Sequence, residues 1–450
     1  MEFWSNLLRG TVGIFILLAI AFAVSNNKRK INWRLVATAI GMQILFAVFI
    51  IHSEYLRSIF FLLGLPKDVI NTIGAGIVAL LGFTQKGAEF VFGKLVYNTG
   101  PESLGFFFAF QVLPTIIFVS ALTSILYYLG ILQLIVKGMA WVMAKLLGTS
   151  GAESLSNTAN IFVGQTEAPL LIRPFIEKMT NSELLTVMVG GMATIAGGVM
   201  ASYIQMLGQS FAEANNIPLQ QAQLKFAVQL LAASVMAAPA SLALSKIMYP
   251  ELEEPVTKGT VKLKVDKNAS NVIEAAATGA SEGLQLALNV AGMLIAFIAL
   301  IALFNAIFTS VGDIIGINAY LMQTYGQPLS LQLIFGMVLQ YLAYGIGVPW
   351  ADSFHFGTLI GTKVVLNEFV AYADLTTLIK SQLMSDKGVM MATYALCGFA
   401  NFSSIAIQLG GIGPLAPNRK KDIAALGLRA VLGGMLATLM TATLAGILVQ

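Results

Sequence analysis

Long apolar runs recur from one end of the chain to the other, and short polar segments separate them. The longest runs are long enough to cross a hydrocarbon core about 30 Å thick as α-helices. Helices also satisfy the rule that backbone groups inside lipid must be hydrogen-bonded within the protein. The pattern therefore predicts an all-α, polytopic membrane protein with about eight transmembrane helices. The predicted spans are residues 7–24, 35–51, 106–128, 184–207, 226–244, 284–308, 389–409 and 423–449.

The composition agrees with a chain whose main solvent is lipid. Hydrophobic residues make up 57% of the 450 residues and charged residues only 11%, whereas a soluble domain has about 25% charged residues. The 42 glycines and 13 prolines suit transmembrane helices, where glycine allows close packing and helix breaks are tolerated beside cavities. The net charge is +4, with the basic residues in loops and no basic stripe, so no nucleic-acid partner is expected.

Two segments between the predicted spans have the character of surface helices. Residues 59–96 carry Lys67, Lys86 and Lys94 spaced among apolar residues, and residues 131–147 are similarly amphipathic. Helices of this kind lie in the headgroup region of a bilayer. We expect both segments to be at least partly interfacial.

Basic residues near the ends of spans predict the orientation, because they favour the cytoplasmic side. The cluster in residues 28–34 places the first loop in the cytoplasm and the N-terminus outside. The basic loops 246–267 and 419–421 then lie inside only if residues 150–180 and 330–375 each enter the membrane and leave on the same face. The sequence thus predicts two re-entrant hairpins of opposite orientation, with both termini outside the cytoplasm. The expected location is a cell inner membrane.

The first hairpin region contains three adjacent polar residues, Gln165, Thr166 and Glu167. Neighbours on a helix point about 100° apart, so the three cannot share one face. Gly164 and Pro169 bracket them, and proline is at home in the first turn of a helix. We expect a hairpin tip at membrane depth, where the free N–H groups of a helix start face a polar ligand.

The second hairpin region places Asn367 and Glu368 in an apolar stretch. An intramembrane carboxylate is costly and is a functional candidate by default. The alternative is that Glu167 and Glu368 lie in shallow water at the level of the loops.

An apolar span with a polar interruption follows each hairpin. Aligning Gly191 with Gly398 places Thr194 over Asn401. Two units of matching order inserted from opposite faces form an inverted repeat, and secondary transporters bind their substrates where such repeats meet. Asn401 and Ser404 lie on one helix face, which also suits contacts between helices. A carboxylate in each unit favours a carrier of a small polar solute.

Four regions follow from this pattern. Residues 1–148 are predicted to form scaffold and interfacial helices, and residues 149–250 the first transport repeat. Residues 251–283 are predicted as a cytoplasmic loop with an amphipathic helix, and residues 284–450 as the second transport repeat.

Three long motifs occupy the two hairpins and the second broken span. They read Gly164-Gln165-Thr166-Glu167-Ala168-Pro169, Gly361-x-Lys363-x-x-x-Asn367-Glu368-Phe369-Val370-Ala371 and Phe399-Ala400-Asn401-Phe402-Ser403-Ser404. At these residues the chain resembles the concentrative nucleoside transporter family, and the helix plan is similar over the whole chain, in the shorter bacterial form.

The resemblance implies secondary active import of nucleosides, coupled to a sodium gradient by alternating access. It also implies a homotrimer in which each protomer has a scaffold and a moving transport domain. The implied nucleobase contacts are Gln165, Thr166 and Glu167, the implied ribose contacts are Glu368, Asn401 and Ser404, and Val199 and Phe399 are further pocket residues. The implied sodium ligands are the side chains of Asn160 and Thr194 and the backbone carbonyls of Val163 and Ile195.

Proton coupling is the main alternative. Proton-coupled members of the family carry Ser-Glu-Asn in place of Thr166-Glu167-Ala168 and have no amide at the position of Asn160, so the resemblance favours sodium. Thr194 stands where the family pattern has serine, and it keeps the hydroxyl.

A channel and a membrane-embedded enzyme are less favoured. A channel needs a continuous polar path, whereas the polar residues here converge on two hairpin tips. An enzyme would use the two carboxylates as acid and base. The chain is expected not to be an enzyme.

Overall fold

A computed structural model describes residues 2–97, 103–259 and 269–449, and these residues form α-helices and short 3₁₀ helices with no β-strand among them. The all-α prediction is confirmed for this part of the chain. The N-terminal helices are α1 (Glu2–Ala23), α2 (Trp33–Ile51), α3 (Ser53–Ile59), α4 (Leu65–Phe92), α5 (Phe108–Gln111), α6 (Leu113–Tyr128), α7 (Ile131–Leu147), α8 (Gly151–Ala159) and α9 (Arg173–Ile176).

The remaining helices include the longest ones and the second hairpin. They are α10 (Asn181–Ala193), α11 (Gly197–Asn215), α12 (Leu219–Met248), α13 (Val272–Ile314), α14 (Asn318–Tyr325), α15 (Leu331–Gly345), α16 (Trp350–Val365), α17 (Glu368–Lys380), α18 (Asp386–Leu396), α19 (Phe402–Ile412) and α20 (Lys420–Leu448). The 3₁₀ helices are Lys28–Lys30, Phe61–Gly64, Gly93–Val96, Ala168–Ile172 and Pro417–Arg419.

Eight helical stretches of the described residues are long and apolar enough to cross a membrane, but they are not the eight predicted ones. Phe61–Val96 is among them, although its lysines had suggested a partly interfacial segment. Predicted span 389–409 is divided between α18 and α19. The eight stretches are Asn6–Ala23, Trp33–Ile51, Phe61–Val96, Phe108–Tyr128, Asn181–Asn215, Leu219–Met248, Val272–Ile314 and Pro417–Leu448.

The segment after the basic loop is one continuous helix. α13 runs for 43 residues, and Asn271 caps its start by accepting a hydrogen bond from the Glu274 N–H at 2.9 Å. The predicted boundary between residues 283 and 284 lies inside this helix. Residues 260–268, which belong to the predicted basic loop 246–267, lie outside the described residues.

α7 is amphipathic, as the sequence predicts. It buries Val136 and Ala140, and its exposed face is mostly apolar but carries Lys137 and Lys145. An exposed face of this apolar kind suits the membrane surface, and the interfacial position of α7 stays a prediction.

The core of the molecule is built from the helices that follow the hairpins. α10, α12, α18 and α20 pack against one another. In the most apolar part of Asn181–Asn215, 89% of the residues are buried, whereas in the most apolar part of Val272–Ile314 only 17% are buried. The exposed sides of the peripheral helices are apolar, as lipid-facing surfaces are. Function is therefore expected in the central helices, where the polar residues are protected from lipid.

Two units of five helices have the same order. The first unit is α8–α12 and the second unit is α16–α20. Each has two hairpin arms, a helix that ends at a break, a helix that begins after it, and a long final helix. The division of the chain into two transport repeats stays a prediction. Their opposite insertion into the membrane stays a prediction.

The start of the first unit is held by a buried charged cluster. Ser150 and Glu153 form a capping box that starts α8. The Ser150 N–H donates to a Glu153 carboxylate oxygen at 2.8 Å, and the Glu153 N–H donates to the Ser150 hydroxyl oxygen at 3.3 Å. The Lys246 ammonium lies 2.8 Å from a Glu153 oxygen and 3.2 Å from a Glu251 oxygen, and it donates to the Ser182 hydroxyl at 2.9 Å. These contacts tie α8, α10 and α12 together and fix where the first hairpin begins.

Candidate functional site

The second hairpin turns sharply and begins a new helix at its carboxylate. Only Leu366 and Asn367 separate α16 from α17. The Asn367 side chain accepts a hydrogen bond from the Val370 N–H at 3.0 Å, and asparagine is among the best residues for starting a helix in this way. Glu368 therefore occupies the first turn of α17, where the helix dipole favours a negative charge.

Glu368 joins three helices at the centre of the molecule. Its side chain is buried, with 3% of the residue exposed. One carboxylate oxygen accepts from the Tyr203 hydroxyl of α11 at 3.2 Å, and the other accepts from the Asn401 amide at 2.9 Å. Two of the three residues predicted to contact ribose are thus directly hydrogen-bonded.

Asn401 also starts α19 after the break in the second unit. Its side-chain oxygen accepts from the Ser404 N–H at 2.9 Å. The free amide nitrogen then points to Glu368, so a single asparagine caps one helix and contacts the first residue of another. Ser404, one turn further along, is also buried.

The tip of the first hairpin packs directly on α19. The Gln165 amide nitrogen donates to the Ser404 hydroxyl at 3.2 Å, and its oxygen accepts from the Gln408 amide at 3.1 Å. A Cβ atom at Gly191 would lie 2.8 Å from the Gln165 Cβ, and one at Gly411 would lie 2.5 Å from the Thr166 Cγ2. Glycine at these two positions allows the tip to pack closely against α10 and α19.

Glu167 does not join this network. One of its carboxylate oxygens accepts from the Gly164 N–H at 2.9 Å, and the side chain is exposed. With Thr166 it lines a cavity of about 510 Å³ whose other walls come from α6, α7, α11 and α13. The structure therefore does not bring the two predicted carboxylates into contact with each other.

The remaining predicted substrate residues lie near the breaks. Val199 is buried in the first turn of α11, and Phe399 is half-buried between α18 and α19. Neither residue lines the 510 Å³ cavity, and nor do Glu368, Asn401 and Ser404.

The residues implied as sodium ligands lie on two segments that touch. Asn160 ends α8 and Val163 follows in the hairpin tip, while Thr194 ends α10 and Ile195 follows in the break. The two segments are joined by a hydrogen bond from the Gly197 N–H to the Phe162 carbonyl at 3.2 Å.

The oxygen atoms here fit a hard monovalent cation. The Asn160 side-chain nitrogen donates to the Ser156 carbonyl at 3.0 Å, and its oxygen is buried with no hydrogen-bond partner. A buried acceptor without a partner is costly, and hard cations prefer oxygen ligands. Among the described residues no cluster of three His, Cys, Asp or Glu side chains is placed to hold a metal ion.

Three contributors to the site escaped the sequence analysis. Gln408 lies one helical turn after Ser404, and that spacing on one face was a usable signal. Tyr203 gave no signal, because it lies far along the chain from Glu368 and in an ordinary apolar span. The cavity wall that α6 and α13 supply, including Glu282 and Gln285, depends on how those helices pack.

Sequence models of a transporter family match most of the chain. The matches are described as the N-terminus of a Na⁺-dependent nucleoside transporter over residues 12–95, nucleoside recognition over residues 109–210, and the C-terminus of a Na⁺-dependent nucleoside transporter over residues 229–446.

Individual relatives match over nearly the full length of the chain. An uncharacterized transporter from Haemophilus influenzae is 44% identical over 448 residues, which cover 99% of this chain and 98% of that protein. Sodium/nucleoside cotransporter 1 of Rattus norvegicus is 40% identical over 451 aligned positions, which cover 97% of this chain and 63% of the rat protein.

Solved structures agree with the fold. The structure of CNTnw in an inward-facing substrate-bound state has a TM-score of 0.84 at 40% identity and covers 98% of both chains. A variant of CNTnw in an outward-facing state has a TM-score of 0.83 at 39% identity, covering 98% of this chain and 97% of that one. The two neighbours are described in opposite orientations, as alternating access requires. The chain is a multi-pass membrane protein that belongs to the Na⁺-dependent nucleoside transporter family.

Proposed function

We propose that this protein is a symporter that imports nucleosides together with sodium. The observation that carries the proposal is the contact between Gln165 and Ser404. It joins the hairpin tip that holds the implied sodium ligands to the helix that presents the implied ribose contacts. A ligand bound at either site would therefore favour the same position of the first tip against α19.

Coupling follows from that shared element. Sodium bound between Asn160 and the break after α10 would hold the first tip in one shape. That shape places Gln165 against α19, where Ser404 and Asn401 complete the nucleoside site. By linkage, each ligand then raises the affinity for the other by the same factor.

The polar groups at the centre suit a ribose ring. The Glu368 carboxylate accepts hydrogen bonds, and the Asn401 amide can both donate and accept. Vicinal hydroxyls would share the donors and acceptors that now bond to each other in the buried Glu368–Asn401 pair. A deoxy analogue would leave one of these buried groups unpaired, which is the strongest source of discrimination against it.

The cavity beside Glu167 gives room for the base. Its volume of about 510 Å³ lies within the range of small-molecule sites. Thr166 and Glu167 offer polar contacts on one wall, and Phe162 and Tyr127 offer ring surfaces on others. The base end of the ligand would therefore be read mainly by the first tip.

Assembly and orientation complete the proposal. We infer a homotrimer in a cell inner membrane, with both chain termini outside the cytoplasm. The transport domain would comprise the two units, and the peripheral helices would form the scaffold. The apolar exposed sides of α4 and α13 support contact with lipid or with neighbouring protomers.

Uptake into liposomes tests the function. Purified protein is reconstituted, and uptake of radiolabelled uridine is followed under an inward sodium gradient, under an equal choline gradient, and under a proton gradient without sodium. We expect concentrative uptake with sodium only. Equal uptake under the proton gradient without sodium would show that sodium is not required as the coupling ion. No uridine uptake under any gradient would refute nucleoside transport.

Two further readouts of the same liposomes address the other classes of function. A channel would give unitary currents in a planar bilayer, and an enzyme would return chemically altered uridine. We expect unaltered uridine and no unitary currents.

A further inference from the structure

Lys363 is a buried lysine that the proposed mechanism does not use. It lies in the last turn of α16, two residues before that helix ends and five residues before Glu368, and its exposed fraction is 0%. The ammonium donates to the Ala395 carbonyl at 2.8 Å and to the Thr438 hydroxyl at 3.1 Å. A charge in such a place is expensive and calls for a compensating role.

The partners of this ammonium are neutral oxygens. Within the described residues no carboxylate lies within salt-bridge distance of Lys363. Lys246, the buried lysine of the first unit, instead contacts Glu153 and Glu251. A carbonyl and a hydroxyl are the same kinds of ligand that the first unit offers to sodium, so the Lys363 environment is that of a bound cation.

The carbonyl that Lys363 contacts is exposed by the helix break. Ala395 is the penultimate residue of α18, whose last four carbonyls have no partner within the helix. A positive charge at this end of a helix also interacts favourably with the helix dipole. The ammonium therefore stabilises the end of α18 in the place where α18 stops and the chain crosses to Asn401.

The first unit has the same break and no such charge. Residues 151–167, which form its first arm and tip, contain no lysine, arginine or histidine. Its arm ends instead at Asn160, whose side-chain oxygen is buried without a partner. The first arm of the second unit thus carries a buried ammonium near its end, whereas the first arm of the first unit ends at a side-chain oxygen without a partner.

The two breaks lie against each other. A Cβ atom at Gly398 would be 2.7 Å from the Met192 carbonyl and 2.9 Å from the Thr438 methyl carbon. Thr438, which binds the Lys363 ammonium, is therefore close to the end of α10, one residue before Thr194.

We propose that Lys363 is a built-in cation that does for the second unit what sodium does for the first, because it holds a hairpin arm against the end of a broken helix. It is a positioning residue that holds the break after α18 and the tip that carries Glu368 in binding-competent form without an external ion. Only the first unit then responds to sodium. This inference rests on the proposed function for the sodium side of the comparison, but the role of the ammonium itself can be tested without transport.

The test is chemical rescue of Lys363→Ala. Alanine leaves the space of the lysine side chain, which n-propylammonium chloride can fill with a positive charge and n-propanol can fill without one. The protein is purified in detergent, and two quantities are measured with each additive: the unfolding temperature without nucleoside, and the affinity for uridine in saturating sodium. Wild type and Lys380→Ala, which removes an exposed lysine from a surface pair with Glu213, serve as controls.

We expect Lys363→Ala to lower uridine affinity by about tenfold or more, the effect of losing charge-assisted hydrogen bonds. Propylammonium should restore most of the affinity and raise the unfolding temperature of this variant only, and propanol should do neither. Lys363→Met, which fills the space without a charge, should stay folded, bind uridine weakly and ignore both additives.

Two results would overturn the proposal: wild-type uridine affinity in Lys363→Met, or equal rescue of Lys363→Ala by propanol. If Lys363→Ala does not fold, the affinity of Lys363→Met decides alone. Failure of wild type to bind uridine would count against the proposed function, whereas the thermal rescue would still decide the role of Lys363.

Discussion

The two units have the same order of helices, yet their hairpin tips differ in length and in how many of their polar groups have hydrogen-bond partners. In the first unit residues 160–167 separate α8 from the next helical turn, Glu167 is exposed, and the Asn160 oxygen lacks a partner. In the second unit two residues form the turn, and both Glu368 oxygens are hydrogen-bonded. Each tip adjoins a broken helix whose end needs a cation or donors.

The difference shows how one architecture can provide both a stable anchor and a responsive element. In the second unit both Glu368 oxygens and the Lys363 ammonium have hydrogen-bond partners within the protein, one of them the Tyr203 hydroxyl of the first unit. In the first unit the buried Asn160 oxygen has no partner, and bound sodium would supply one. Sodium sensitivity in one half of the molecule is the expected consequence.

The largest expected effect separates the two carboxylates. Glu368→Gln should lower uridine affinity by about 100-fold, because a buried charged acceptor for ribose hydroxyls is lost. Glu167→Gln should lower it by only about tenfold, since Glu167 faces an open cavity where solvent screens it. Isothermal titration with uridine in sodium measures both, with the exposed Glu253→Gln as an unchanged control. An effect of Glu167→Gln equal to that of Glu368→Gln would contradict the comparison.

The next effect concerns the unpaired oxygen of the first tip. Asn160→Ala should weaken sodium binding by about 30-fold, the loss of one ligand to a buried ion. The measurement is the rise in unfolding temperature with sodium concentration in the absence of nucleoside, because an ion that binds the native state stabilises it.

Asn367→Ala is the matched asparagine in the second tip. It should destabilise the protein by about 1 kcal/mol through loss of a helix cap and leave the sodium concentration dependence unchanged. A shift in sodium dependence as large as that of Asn160→Ala would show that the second tip also responds to the ion.

A smaller effect compares two threonines with the same local hydrogen bond. Thr194 donates to the Gly190 carbonyl at 2.9 Å, and Thr393 donates to the Val389 carbonyl at 2.8 Å. If Thr194 binds sodium as proposed, Thr194→Val should raise the sodium concentration for half-maximal uptake by about fivefold, because one oxygen ligand is removed. Thr393→Val should leave it unchanged. Equal changes in the two variants would mean that the hydroxyl of Thr194 acts only on helix packing.

The smallest effect tests the hydroxyl that holds Glu368 from the first unit. Tyr203→Phe should lower uridine affinity by about threefold, the net value of one hydrogen bond. Tyr372 has its ring centroid 4.2 Å from that of Tyr203 and donates its hydroxyl to the Thr393 carbonyl at 2.9 Å. Tyr372→Phe should therefore reduce thermal stability without changing uridine affinity. Uridine titration and thermal unfolding of both variants check the expectation, and identical affinities for Tyr203→Phe and wild type would refute it.

Several parts of the site could be predicted from sequence because their causes are local. Asn367 starts α17 and Asn401 starts α19, as expected of asparagine before an apolar helical run. Glu368 attracted attention because a carboxylate in an apolar stretch is rare. The break around Thr194 was visible from the glycines that surround it.

Other parts depend on contacts between distant segments. The lysines of residues 59–96 suggested a surface segment, yet α4 is long and apolar enough to span, because its charges lie towards the two ends and on one side. Tyr203 reaches Glu368 across 165 positions of sequence, and no local pattern indicates that pairing. The exposure of Glu167 to a cavity likewise depends on how α6 and α13 pack.

The sequence alone determined that the chain is helical and spans a membrane. It also determined where the helices break and which polar residues interrupt them. These properties follow from hydropathy, helix propensity and capping, which act over a few neighbouring residues. Only the tertiary structure decided that the first tip packs on the broken helix of the second unit, that Glu368 is held by both units, and that the Lys363 ammonium contacts the end of α18. Those contacts join segments far apart in the chain, and they arise because close packing of the central helices leaves each buried polar group one set of partners within reach.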